Sequence, residues 1–241
     1  MVLQNRKSKI ENHFDPSISP QAYIDLVTDL FLKECDPLRA EKQMAYMRHQ
    51  FEYCGLGAAK WYPMAKKIFV DHGMYTGKKL KTFVEGCYDQ SYREVVYVGI
   101  EMMQRMLPQQ APSWISVLEK CITTQSWWDT VDWLAKLVGI FFRQYPELQS
   151  EYAYRWIESE NIWLQRVAII HQIFYKEKTN EKLLFDMIRR RADSKEFFIR
   201  KACGWSLRVY SKTKPDQVIK FVENHSLSSL TRKEALRLIQ L

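Results

Sequence analysis

Strong helical patterns recur through the second half of this chain, beginning near Ser91, Trp127, Ile162 and Glu196. Each starts about 35 residues after the last, with a shorter helix between. This period constrains the fold more than any local motif. A helix pair of that length cannot bury its own apolar face, so neighbouring pairs must stack and share one core. Start signals extend the pattern to the N-terminal half. Ser19-Pro20 places an N-cap before a Pro at the first helical position, opening a helix to about Cys35. Asp36-Pro37 opens the next, which carries M-A-Y-M-R-H-Q-F to Phe51. Further helices are expected near residues 59–72, 78–87, 91–106, 112–122, 126–145, 147–157, 162–175, 181–191, 195–210 and 215–224. A last one starts at Thr231, where Glu234 three residues on completes a capping box. No stretch alternates apolar and polar residues long enough to be a strand, so the fold class is all-α. The 8 Gly and 8 Pro fall mostly in short turns and none marks a linker, which predicts one domain over residues 1–241.

The architecture this predicts is a right-handed solenoid of antiparallel helix pairs, HEAT-like repeats, in which corresponding helices line one surface. Residues one repeat apart then converge, and three repeats carry an unusual residue at the corresponding place. In S-W-W-D-T-V-D-W, residues 126–133, the row Trp127, Val131, Leu134 and Val138 is the core stripe. Trp128 and Asp132 share a neighbouring row with Ala135 and Gly139, small residues that leave the face uncrowded. Asp129 and Trp133 occupy the next row. One repeat on, Trp163, Val167, Ile170 and Phe174 form the core row, while Arg166 stands among Ile162, Ile169 and Ile173. A guanidinium there needs a partner or must snorkel to water. In F-F-I-R-K-A-C-G-W-S-L-R-V-Y, residues 197–210, Trp205 has Gly204 beside it and Arg208 near. Glycine inside a helix costs up to about 1 kcal/mol against alanine, which points to close packing or access there.

Composition removes several function classes. A hydrophobic share of 46% of the chain, with 14% of the chain aromatic, supports a packed core rather than a disordered chain. No apolar run approaches the roughly 18 residues of a membrane span. Residues 1–12 lack the apolar region of a secretory signal. The 5 Cys are scattered without a C-x-x-C pair, and the 5 His are scattered too. They read as reduced thiols of a cytoplasmic protein with no metal site. The net charge of +8 is unevenly placed. One basic run comprises Lys60, Lys66, Lys67, Lys78, Lys79 and Lys81; another lies between Met187 and Lys220, and both fit a polyanionic partner.

The chain resembles the bacterial AlkD-type DNA alkylation repair glycosylases. The resemblance is carried by Y-M-R-H-Q-F at 46–51, S-W-W-D-T-V-D at 126–132 and S-E-N-I-W-L-Q-R at 159–166. It continues through S-K-E-F-F-I-R-K-A-C-G-W-S-L-R at 194–208, S-K-T-K-P at 211–215 and L-T-R-K-E-A at 230–235. It implies double-stranded DNA lying in a concave basic groove and excision of N-alkylated purines from it. Asp132 matches the catalytic carboxylate, with Trp128, Trp205 and Arg166 around it. Arg208 joins them as a DNA contact, and Tyr46 falls on the DNA-facing N-terminal part. It also implies that the lesion can stay stacked while the tryptophans engage the backbone. The chain departs from the family at Gly57-Ala58-Ala59-Lys60-Trp61, where a Thr-Pro-Glu-Arg-like turn is usual, so no DNA contact carries over there.

The residues suit that chemistry. A purine alkylated at N3 or N7 is already cationic and leaves without a strong general acid. One fixed carboxylate can stabilise the oxocarbenium-like sugar and orient water. Two indole faces suit a sugar and a cationic base. Arg166 would fix a phosphate or hold the Asp132 carboxylate. No cofactor is called for, and the expected species is a monomer. Two other classes remain open: a non-catalytic HEAT-like binder of bent or branched DNA, and a protein–protein scaffold.

Overall fold

A computed structural model describes residues 15–239. The reading of residues 1–12 lies outside this range. The described residues hold thirteen α-helices and no β-strand, and they divide into two compact units, one ending at Gln110 and the other beginning at Ala111. The all-α class expected from the sequence is the observed one.

The first unit contains α1 (Pro20–Leu32), α2 (Pro37–Tyr46), α3 (Ala58–His72), α4 (Gly77–Tyr88) and α5 (Arg93–Met106). Both expected caps form: the Ser19 hydroxyl accepts from the Ala22 amide at 3.2 Å and Asp36 from the Arg39 amide at 3.0 Å. α2 stops five residues before the expected Phe51. Arg48 and His49 sit at φ of 56° and 54°, left-handed values through which no helix continues. Helices α1, α4 and α5 pack together with α3 against α5. In this core the Tyr23 ring meets Phe83 edge-on at 5.2 Å and its hydroxyl donates to the Gly73 carbonyl at 2.9 Å. Glu94 is fully buried and accepts the backbone N–H groups of Leu56 at 2.9 Å and Cys54 at 3.0 Å. Burial pushes its carboxyl pKa up, and those N–H donors oppose the shift.

The second unit contains α6 (Ile115–Thr123), α7 (Trp128–Gln144), α8 (Pro146–Ile157), α9 (Ile162–Ile170), α10 (Glu181–Arg189), α11 (Phe197–Tyr210), α12 (Pro215–Asn224) and α13 (Ser229–Leu236). The helices α5, α7, α9 and α11 start at Arg93, Trp128, Ile162 and Phe197, within two residues of the expected starts. Within this unit α7 packs on α9, α9 on α11 and α11 on α13. Helices α6, α8 and α12 pack on α7, α9 and α13. Two local expectations change. α9 ends at Ile170 instead of Tyr175, so Phe174 leaves the core row and is 55% exposed. The last helix is capped by Ser228, whose hydroxyl accepts from the Thr231 amide, and Glu234 pairs with Lys201 instead of closing a capping box.

Two glycines explain how these helices approach. A Cβ on Gly139 would lie 2.2 Å from the His171 carbonyl oxygen, so α7 and the end of α9 touch backbone to backbone. Gly139 and Ala135 are therefore buried contact points, not the open face expected of them. A Cβ on Gly204 would lie 2.5 Å from Glu234 Cβ and 3.0 Å from the Thr231 carbonyl oxygen. This is the packing reason for a glycine in α11. Gly204→Ala gains up to about 1 kcal/mol of helix propensity but overpacks a seam bounded by backbone, at a cost of about 1–3 kcal/mol. The net expectation is destabilisation by denaturant titration, and an unchanged midpoint would show that α13 can slide.

His171 closes the seam at Gly139. Its Nδ1 lies 2.9 Å from the Ala168 carbonyl, which can only accept, so Nδ1 carries the proton and Nε2 accepts from Gln149 at 3.1 Å. Burial lowers its pKa to about 4. A depressed pKa stabilises the fold above the unfolded value, near 6.5, and that contribution is lost as pH falls toward about 4. The loss is expected to reach about 3 kcal/mol. His171→Gln should remove this part of the pH dependence, as read from melts between pH 7 and about 4. The paired carboxylates Asp186 and Glu234, whose pKa values are lowered, remain in both proteins.

Candidate active site

α7 opens with Trp127 as its cap and Trp128 as its first residue, which puts Asp132 one turn in, on the Trp128 row. Arg166 reaches it from α9. Nε donates to Oδ1 at 2.7 Å and an Nη donates to Oδ2 at 2.8 Å, a two-pronged pair. The other Nη donates to the Phe198 carbonyl in the first turn of α11 at 2.7 Å. The Arg166 side chain is 6% exposed and that of Asp132 23%. Arg166 thus does not snorkel; it is held, while the carboxylate keeps an open side.

Beneath the pair lies an aromatic floor. Trp127 and Trp163 are 5.8 Å apart between ring centroids, Trp127 and Phe198 5.3 Å, and Trp163 and Phe198 4.9 Å. The guanidinium lies 5.9 Å from the Phe198 ring and 6.0 Å from that of Trp205, at the outer reach of a cation–π contact. Low-dielectric rings on one side strengthen the ion pair and shield it from salt. Trp205 and Trp128 are both half-buried.

Asp132, Arg166 and Trp205 therefore come together, with Trp128 on the Asp132 row. Arg208 is engaged elsewhere: it pairs with Glu234 of α13, which also holds Lys201 at 2.9 Å. Tyr46 ends α2 in the first unit and is 71% exposed. Phe198 was missed as a site element, both ring and carbonyl. The signal was present, because each repeat places an aromatic at the start of its long helix: Trp127, Trp163, Phe198.

The basic runs are partly neutralised by carboxylates that lie outside them in sequence. Arg189 and Arg190 pair with Asp186, Arg190 and Arg191 with Glu158, and Lys60 with Glu34 at 2.8 Å. Lys79 pairs with Asp15 at 2.6 Å. Lys195, Lys212, Lys214 and Lys220 are exposed, as are Lys66, Lys78 and Lys81. Among the described residues no cluster of three or more His, Cys, Asp or Glu could hold a metal, and no helix is long and apolar enough to cross a membrane.

Comparison with known proteins gives this arrangement a family. No curated protein matches the chain. A solved structure of a predicted DNA alkylation repair enzyme from Enterococcus faecalis is 31% identical with a TM-score of 0.81, over 85% of this chain and 96% of that one. AlkD2 from Streptococcus mutans shares the fold at 20% identity and a TM-score of 0.59, over 75% of this chain and 91% of its own. Another S. mutans structure, smu.31, does so at 17% identity and a TM-score of 0.62, over 92% and 99%. The family described as DNA alkylation repair enzyme matches residues 27–239, nearly the whole chain, and to that family this protein belongs.

Proposed function

We propose that this protein is a DNA glycosylase that hydrolyses the N-glycosidic bond of cationic N3- and N7-alkylated purines in duplex DNA, with residues 1–241 acting as one functional domain. The observation that carries this reading is the Asp132 carboxylate, fixed by a buried arginine over aromatic rings yet open on one side. Arg166 uses one lone pair on each carboxylate oxygen, and the second on each is left for other donors. As the bond to the base lengthens, positive charge grows on the sugar, and a carboxylate already oriented needs no rearrangement to stabilise it. The same oxygens can accept a hydrogen bond from the water that attacks C1′ and take its proton. The alkylated base departs neutral, so the step needs neither metal nor redox cofactor. Trp128 and Trp205 offer apolar faces to the sugar and the cationic base, and Tyr46 and Arg208 are assigned DNA contacts. A match that spans both units supports a single functional domain. The alternative is a non-catalytic DNA binder. The deciding experiment is single-turnover release of N7-methylguanine and N3-methyladenine from methylated duplex DNA. The expected result is release well above the spontaneous rate, and binding without release would overturn the proposal in favour of the binder.

A further inference from the structure

Two cysteines of the first unit stand apart from the other three. Cys35 is exposed and Cys54 is buried. The backbone holds them in place. The Asp36 amide, next to Cys35, donates to the Cys54 carbonyl at 2.9 Å, and the Cys54 amide donates to Glu94 at 3.0 Å. That backbone bond sets Cys35 on the segment lying directly beside Cys54, the neighbourhood that a disulfide requires. The proposed glycosylase chemistry uses neither residue.

We propose that Cys35 and Cys54 form an oxidation site, in which a hydroperoxide converts the two thiols into a disulfide enclosing α2. The Cys35 sulfur, open to solvent, attacks the peroxide O–O bond as thiolate and becomes a sulfenic acid, releasing one water once protons are exchanged. The Cys54 sulfur then attacks the sulfenic sulfur. An S–S bond forms, the S–O bond breaks, and hydroxide leaves as the second water with the proton of Cys54. Two electrons pass from the thiols to the peroxide, and for hydrogen peroxide the products are one disulfide and two waters. Burial shields Cys54 and raises its pKa, so the exposed Cys35 is the thiol that meets the peroxide first, and Cys54 gives up its proton only as it attacks the sulfenic sulfur. The bond would fix the chain on both sides of α2 and so restrain the segment that ends at Tyr46.

The site is read directly by peptide mapping of the full-length protein. After brief hydrogen peroxide treatment, remaining thiols are alkylated under denaturing conditions and the chain is cut with trypsin without reductant. The expected product joins the peptides 34–39 and 49–60, is two hydrogens lighter than their sum, and separates on reduction. Cys87, Cys121 and Cys203, all buried, should stay alkylatable in the same sample. Cys35→Ser should abolish the joined peptide, and Cys54→Ala should leave Cys35 to oxidise further. Should Cys54→Ala fail to fold, the wild-type map alone decides. Accumulation of Cys35 with two added oxygens beside an alkylatable Cys54, or linkage of either to another cysteine, would overturn the assignment.

Discussion

Asp132→Asn is expected to slow single-turnover release of N7-methylguanine by at least about a hundredfold, the scale on which a preorganised electrostatic contact acts. The substitution keeps size and shape and removes the charge that, in the proposed mechanism, opposes the growing oxocarbenium. It is not silent in the fold. The Asn amide turns a donor toward an N–H of Arg166 that now meets a carboxylate oxygen, at a cost of about 1–2 kcal/mol. Stability should therefore fall slightly while the rate falls by orders of magnitude. Binding to undamaged duplex should hold or strengthen, because a negative charge near phosphates is removed. Asp129→Asn, one row away, is the comparison and should cost much less. Near wild-type excision by Asp132→Asn would sink the mechanism, and equal collapse of rate and melting temperature would make Asp132 a structural residue.

Arg166→Ala is expected to have the larger effect on stability, about 2–4 kcal/mol, with loss of excision as well. Three consequences combine: a partly buried carboxylate loses its counter-ion, the Phe198 carbonyl loses its donor, and a void opens over the aromatic floor. The estimate stays below that for a wholly buried pair because Asp132 retains contact with solvent. Arg166→Lys restores charge but not the fork, so it should recover part of the stability and less of the rate. Chemical denaturation and single-turnover kinetics on the three proteins separate these effects. A lysine variant as active as wild type would show that charge near Asp132 suffices and that its orientation does not matter.

Much of this was legible before any coordinates. Pro after a cap residue gave the starts of α1 and α2, and the repeat length gave those of the long helices, because both signals are local or periodic. The union of Asp132, Arg166 and Trp205 followed from equal spacing along a stack. Helix ends were less legible: α2 and α9 stop where the backbone turns, and no residue type announced the left-handed Arg48 and His49. Charge read along the sequence was least faithful. The run holding Arg189 to Arg191 read as a face for a polyanion, yet Glu158 and Asp186 answer it from outside the run, and Glu234 answers Lys201 and Arg208. Gly139 misled for a related reason, since a small residue marks equally an open face and a backbone contact.

One guanidinium, carried by α9, is bonded to a side chain of α7 and to the backbone of α11. Its three bonds thus register whether three consecutive repeats have docked in step. If α11 shifts by a single residue, the Phe198 carbonyl moves out of reach and the fork is free to rotate away from Asp132. The geometry of the proposed site is therefore a property of the stack, not of any one helix, and it comes into being only when the second unit closes on itself. A fragment ending before α11 could retain both Asp132 and Arg166 and still lack the site, because the Phe198 carbonyl that anchors the third bond would be gone.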